Sequence, residues 1–123
     1  MAKKLESKFW QECKQNTAGI SWTRLESWAS QGCPDLLGYN TKGHFFTVEL
    51  KVTRSNLVTF SPHQIAFHYK HPHNSFILIK ALKQSALILV PGSVVPELSD
   101  KGLACVLKNR GSWTTVLATL LAC

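Results

Sequence analysis

Hydrophobic residues spaced three or four positions apart predict four helices in this chain, over 3–16, 61–70, 94–98 and 112–121. The second has the clearest start, because Ser61 is a favoured N-cap, Pro62 fits the first helical turn and Gln64 stands at capping-box spacing. The third is short enough to be a turn instead.

Alternating or continuously apolar segments between these helices predict β-strands over 20–28, 35–39, 44–52, 76–82, 86–90 and 103–108. The first of these segments is also consistent with an extended stretch outside a sheet. The order of helices and strands predicts an α/β or α+β fold, with a central mixed sheet flanked by helices and a single domain over 1–123.

The turn between the second and third strands determines which of their residues face each other. A three-residue loop, Thr41-Lys42-Gly43, with glycine in the left-handed conformation, pairs Asn40 with His44. The same register places Asp35 opposite Glu49, with the two β-carbons about 4.5–5.5 Å apart.

Two opposed carboxylates repel each other unless a positive charge lies between them, and oxygen ligands of this kind suit Mg²⁺. Glu49 and Lys51 share one face of their strand because they are two residues apart, while Val48 and Leu50 face the other way. Lys51 is therefore placed to orient a water molecule or to stabilise charge that develops on a phosphate. The alternative is an exposed hairpin in which Glu49 pairs with Lys51 or Arg24.

The chain is strongly basic, since 14 lysine and arginine residues stand against 7 aspartate and glutamate residues, which gives a net charge of +7. Such an excess on 123 residues predicts a polyanionic partner, and nucleic acid fits better than a membrane surface. The first residues do not resemble a secretion signal, so we expect a cytoplasmic protein whose four cysteines are free thiols.

The motif Gly32-x-Pro34-Asp35-Leu36, followed by Glu49-x-Lys51 and preceded by Glu6 on a helix, resembles that of the PD-(D/E)xK nuclease superfamily. The resemblance is greatest to the archaeal-type Holliday junction resolvases and the VRR-NUC branch, and it runs from Glu6 to about Leu78. It implies a restriction-endonuclease-like core and a metal-dependent endonuclease that acts on branched DNA. It also implies a homodimer, and small nucleases of this kind often occur in phages.

Carried over by position, the resemblance implies that Glu6, Asp35 and Glu49 bind Mg²⁺, for which Mn²⁺ can substitute, and that Lys51 assists the attacking water. Gln64 matches a glutamine that the family carries at the start of the helix after the Glu-x-Lys strand. Its place in the capping box explains this residue equally well.

The choice of Glu6 over Glu12 as the helical ligand depends on the helix register. Glu6 precedes Phe9 by three residues and Cys13 by seven, so it borders the predicted buried stripe, whereas Glu12 points elsewhere. A favourable interaction of Glu6 with the helix dipole is the alternative explanation.

Several polar residues are candidate contacts to the DNA backbone or its ends, although each is also consistent with an ordinary surface position. These candidates are Lys3, Lys4, Lys8, Arg24, Arg54, Ser55, Asn56 and His63. Arg24 and Glu26 can instead form an ion pair, or Glu26 can lie near the metal. Trp22 and Trp28 can stack on an unpaired base or pack in the core.

Two further questions stay open at this stage. The apolar stripe of the last helix, which includes Val116 and Leu120, fits either core packing or a dimer interface. The substrate can also be another DNA structure, such as a flap, a restriction site or damaged DNA, and RNA is not excluded. A binding module without catalytic activity ranks last, because Asp35, Glu49 and Lys51 are all present.

Overall fold

The computed structural model describes residues 2–25 and 32–123, with side chains from Lys4 onward, and this part of the chain forms a mixed β-sheet with helices on both faces. The helices are α1 (Ala2–Asn16), α2 (Pro62–Lys70), α3 (Val95–Lys101) and α4 (Trp113–Ala122). The strands are β1 (Ser21–Arg24), β2 (Leu36–Tyr39), β3 (Phe45–Thr53), β4 (Ser75–Ala81), β5 (Ala86–Pro91) and β6 (Arg110–Gly111). The predicted α/β class with a mixed sheet flanked by helices is confirmed.

The strands of the sheet lie side by side in the order in which they occur along the chain, from β1 to β6. Strands β3 and β4 run parallel and are joined through α2, while the other neighbouring pairs are antiparallel. Helix α2 therefore crosses from the end of β3 back to the start of β4 and packs on one face of the sheet.

Two hydrophobic clusters cover the two faces of the sheet. Phe9 and Cys13 of α1 and Leu120 of α4 pack against one face together with Val48 and Leu50 of β3. The other cluster consists of residues from β4 and β5, from α3 and the 3₁₀ region that follows it, and of Val58 from the segment between β3 and α2. Because Val116 and Leu120 are buried in the first cluster, the core interpretation of the last helix is confirmed.

The hairpin register follows the prediction, since Leu36 pairs with Val48 and Tyr39 with Phe45 around the predicted turn. Gly43 closes that turn with a φ of 79°, which is the left-handed conformation that the loop requires. The predicted helices and four of the predicted strands are confirmed to within a few residues.

The predicted strand over 103–108 is wrong. The structure has 3₁₀ helices at Gly102–Cys105 and Leu107–Asn109, and the adjacent strand β6 is confined to Arg110–Gly111. Leu103 and Val106 are buried three residues apart, which is the period of a 3₁₀ helix rather than of a strand. Gly102 is needed at the start of this segment because a β-carbon there would collide with the carbonyl oxygen of Asn56.

Of the predicted first strand, 20–28, the described residues form β1 over Ser21–Arg24, and the N–H of Leu25 still donates to the carbonyl oxygen of Asp35 at 2.8 Å. Trp28 and Glu26 lie outside the described residues. The packing alternative for Trp22 is confirmed, because its ring packs edge-on against Trp10 and Phe46, and its indole N–H donates to Thr17 Oγ1 at 2.8 Å.

No helix in the described part of the chain is long and apolar enough to cross a membrane.

Candidate active site

The predicted pair Asp35 and Glu49 lies at the start of β2 and in the middle of β3. Asp35 precedes Leu36, so the observed pairing of Leu36 with Val48 places it beside Glu49. The Asp35 carboxylate also accepts a hydrogen bond from the backbone N–H of Leu50 at 2.8 Å. This bond attaches the carboxylate to the neighbouring strand and holds it next to Glu49.

The Glu49 side chain is buried, with 3% of its surface exposed. Burial raises its pKa to about 9, and the negative charge of Asp35 and a side-chain hydrogen bond to Asp35 add to this effect, while Lys51 opposes it. None of the described residues donates a hydrogen bond to Glu49 Oε1, and two carboxyl groups such as those of Glu49 and Asp35 bond to each other only through a shared proton. An unpartnered carboxylate oxygen in the interior is costly, so this position favours a proton or a cation.

Gln64 joins the two functional side chains of β3. Its amide nitrogen donates to Glu49 Oε2 at 3.2 Å, and its Oε1 accepts a hydrogen bond from Lys51 Nζ at 3.1 Å. The same Oε1 also accepts from the backbone N–H of Ser61 at 2.9 Å, as the capping box requires. Gln64 therefore caps α2 and contacts the candidate site at once, so the two explanations offered for it are compatible.

Phe60 is a neighbour of Lys51 that the sequence interpretation missed. The Lys51 ammonium lies 4.6 Å from the centroid of the Phe60 ring, within the range of a cation–π contact. Together with Gln64, this ring holds the ammonium on the same side of the sheet as Glu49. The position of Phe60, one residue before the N-cap Ser61, is the signal that could have indicated this contact.

The glycine of the motif brings the loop before Asp35 against the start of α2. Gly32 has a φ of 81°, and a β-carbon there would collide with the backbone of His63. The next residue, Cys33, lies close enough to the site that burial first, and then the charges of Glu49 and Asp35, raise the pKa of its thiol. A residue larger than glycine at position 32 would push this loop and Asp35 away from α2.

Glu6 lies near the pair but on the helix that covers the opposite face of the sheet. Its pKa is raised by partial burial and by the charge of Asp35, while Lys51 and Arg24 lower it. Glu12 has a different role, because it forms an ion pair with Lys80. The structure therefore places Glu6 within electrostatic range of Asp35, whereas Glu12 is engaged by Lys80.

The donor set fits a hard divalent cation at the Asp35–Glu49 pair. Both side chains are carboxylates, the buried Glu49 Oε1 receives no hydrogen bond from the described residues, and burial together with the charge of Asp35 raises the pKa of Glu49. Among the described residues, no three His, Cys, Asp or Glu side chains already enclose a metal position. The role of Glu6 as a third ligand therefore stays a prediction.

The remaining candidates divide into free surface residues and residues that shape a loop. Lys4, Lys8, Arg24, Arg54 and His63 are exposed, and the side chain of Lys3 lies outside the described residues. In the loop after β3, Ser55 Oγ accepts a hydrogen bond from the N–H of Leu57, and Asn56 Oδ1 accepts one from Gln84. Contacts of any of these residues with DNA stay predictions.

No protein-family model and no curated protein sequence matches this chain. Its fold is similar to that of Hjc, a Holliday junction resolvase of the archaeal hyperthermophile Archaeoglobus fulgidus, at a TM-score of 0.52 and 16% sequence identity. The match covers 74% of this chain and 76% of the archaeal protein. The mixed sheet flanked by helices is consistent with a restriction-endonuclease-like core, while the VRR-NUC likeness and a phage source stay expectations from the family resemblance.

Proposed function

We propose that this chain is a Mg²⁺-dependent endonuclease that hydrolyses phosphodiester bonds in branched DNA, with four-way junctions as its main substrate. The observation that carries the proposal is the buried Glu49 carboxyl beside Asp35, with one oxygen unpartnered and Lys51 two residues along the same strand face. A protein without a use for such a pair would gain stability by replacing it with apolar residues. The fold likeness to an archaeal Holliday junction resolvase supports the same chemistry.

In this proposal, Asp35 and Glu49 hold Mg²⁺ or Mn²⁺, and Glu6 completes the site. A bound divalent cation supplies Lewis-acid stabilisation of the charge on the scissile phosphate. Lys51, kept in place by Gln64 and Phe60, orients the attacking water and offsets the negative charge that builds up on the phosphate oxygens.

Binding of the DNA backbone falls to the basic surface around this acidic centre. Arg24 is exposed and lies close enough to Glu6 to lower its pKa, so it is well placed for a phosphate next to the scissile one. Lys3, Lys4, Lys8, Arg54 and His63 extend the proposed contact surface, and Ser55 and Asn56 add polar groups from the loop after β3. We also propose that two copies act together, so that two sites cut paired strands of a junction.

The decisive experiment is a cleavage panel in Mg²⁺ with a four-way junction, a flap, a single strand, a linear duplex and a structured RNA. We expect the wild type to cut the junction fastest and Asp35→Ala to lose cleavage while it still binds the junction. Glu97→Gln, which removes an exposed acid on α3, is the matched control and should cut like the wild type.

Cleavage by Asp35→Ala at the wild-type rate would show that the site is elsewhere. Junction binding without cleavage by any form would instead indicate a binding module. Sedimentation of the wild type, alone and with the junction, tests the dimer.

A further inference from the structure

An aromatic pair is exposed at the edge of the hairpin, away from the core. Tyr39 and Phe45 are directly paired residues of β2 and β3, and their ring centroids are 4.6 Å apart at an interplanar angle of 54°. Their side chains are 41% and 59% exposed. Large aromatic side chains that stay in water together forgo the free energy of burial, and such groups often mark binding surfaces.

This pair lies on the same face of the sheet as the candidate active site. Side chains two residues apart on a strand share a face, which gives the series Asp35, Leu37 and Tyr39 on β2 and Glu49, Thr47 and Phe45 on β3. Four residues along a strand span about 13 Å. At about 3.4 Å per nucleotide in a stacked strand, this distance corresponds to roughly four nucleotides from the scissile phosphate, and to fewer in an extended strand.

A second aromatic pair forms the opposite wall of the groove that begins at Phe45. Phe67 of α2 and His71 stack with their centroids 4.2 Å apart and their planes 24° from parallel. Both line this groove, together with His73 and Thr47. The groove continues across the sheet over Leu37 to Tyr39, Ser21 and Thr23.

The groove also has polar features that suit a nucleobase. No carboxylate of the described residues lines it, whereas His71 and His73 do. Hydroxyl-bearing residues also line it, among them Thr47, Ser21 and Thr23. Flat aromatic walls combined with hydroxyl-bearing side chains match the stacking surface and the polar edge of a base.

We propose that this groove is a subsite for unpaired nucleobases, in which bases up to about four nucleotides from the scissile phosphate stack on Phe45 and Tyr39. The proposal rests on the proposed nuclease function and extends it, because it makes unpaired bases a few nucleotides from the scissile phosphate part of what the enzyme recognises. The occupant is a nucleobase rather than a second copy of this chain, since the groove is continuous with the catalytic face and is walled by stacked rings.

The test compares binding of a short oligothymidylate with binding of an oligomer of equal length in which every base is replaced by an abasic site. Both are measured without a divalent cation, so that cleavage does not enter. The wild type should bind the thymidine oligomer more tightly, and Phe45→Ala should reduce this preference by about 5- to 150-fold, the range expected from losing one stacked base. Phe45→Trp should restore the preference, and Phe45→Leu should not.

Tyr69→Ala is the matched control, because Tyr69 is 81% exposed on α2 but does not line the groove. Phe45→Ala should fold normally, since more than half of the side chain is already in solvent. An adenine analogue whose fluorescence is quenched by stacking should lose its quenching in Phe45→Ala and keep it in Tyr69→Ala.

An unchanged preference for thymidine over the abasic oligomer in Phe45→Ala would overturn the subsite, and so would a wild type with no preference. Equal weakening of both oligomers together with a shift from dimer to monomer in sedimentation would identify the groove as an interface between two copies. The junction cleavage panel tests the nuclease function separately, so normal cleavage with an unchanged oligomer preference would reject the subsite alone.

Discussion

At the scale of single residues, the burial of Glu49 links stability to pH and to the proposed metal binding. Its folded-state pKa of about 9 lies above its ordinary value of 4.5, so the folded state keeps a proton that the unfolded state has released between these pH values. The stability of the metal-free protein should therefore be highest below pH 4.5 as far as this group is concerned, and fall as the pH rises towards 9.

Glu49→Gln should remove this pH dependence, because glutamine has a similar shape and does not ionise. In urea unfolding with a chelator, the variant should gain stability over the wild type as the pH rises from 5 to 9. Addition of Mn²⁺ should raise the melting temperature of the wild type and leave that of Glu49→Gln unchanged. Equal stabilisation of both proteins by Mn²⁺ would place the metal elsewhere, and Glu97→Gln should behave as the wild type throughout.

One substitution at Gln64 can separate its role in the helix cap from its role in the candidate site. Glutamate also completes a capping box, so Gln64→Glu should keep the stability of α2, but its carboxylate cannot donate to Glu49 Oε2. We expect junction cleavage to fall by roughly 10- to 100-fold, as for other losses of positioning. Gln64→Ala should lose activity and also about 1 kcal/mol of stability, and wild-type cleavage by Gln64→Glu would assign Gln64 to the cap alone.

The sequence predicted which residues form the candidate site, but it did not predict what surrounds them. Asp35 lies opposite Glu49 because of the register that the hairpin loop sets, so the local sequence was sufficient to predict it. The contact of Phe60 with Lys51 and the burial of Glu49 depend on where α2 packs, which no local pattern shows.

At the scale of elements, α2 carries a second buried group that makes stability depend on pH. His68 is 1% exposed, donates to or accepts from Ser75 Oγ at 2.7 Å through Nδ1, and has no partner at Nε2 among the described residues. Burial, with a smaller effect from the charges of His71 and Lys51, lowers its pKa to about 4. The unfolded state therefore binds a proton between pH 6.5 and 4 that the folded state excludes.

The free energy of unfolding should accordingly decrease as the pH falls from 6.5 to 4, by up to about 3 kcal/mol for a pKa shift of this size. Glu49 contributes with the opposite sign over much of this range, so the measurement belongs in the Glu49→Gln background. There, urea unfolding should show a loss of stability on acidification that His68→Gln abolishes and that His63→Gln, at an exposed position of the same helix, retains. A loss that persists in His68→Gln would assign it to other groups.

The elements also show where a sequence pattern is sufficient to predict structure. The hairpin and α2 form as predicted because their signals are local: a glycine at the left-handed position of the turn, and a complete capping box. The segment 103–108 was assigned the wrong structure because its conformation is set by a distant contact, in which the N–H of Leu103 donates to the carbonyl oxygen of Asn56 at 2.7 Å. An apolar run of this length does not reveal such a partner.

At the scale of the whole molecule, the distribution of charge is more informative than the net value of +7. Of the acids that the structure describes, Glu6, Asp35 and Glu49 gather at the candidate site, and Glu12 is paired with Lys80. The basic side chains are consequently opposed by few free carboxylates elsewhere on the described surface. A cation at the Asp35–Glu49 pair would make the surface that meets DNA more positive still.

This distribution predicts that junction binding weakens steeply with salt, because each phosphate neutralised by a lysine or arginine releases counterions. In a chelating buffer, the slope of log K against log salt should decrease in magnitude by about 1 in Arg24→Ala, with affinity lowered alike for all sequences. Lys14→Ala is the control, since its ammonium lies 5.0 Å from the centroid of the Trp10 ring near the far end of α1. A binding affinity of the wild type that does not change with salt would contradict nucleic acid as the partner. Equal slopes for Arg24→Ala and the wild type would show only that Arg24 does not contact a phosphate.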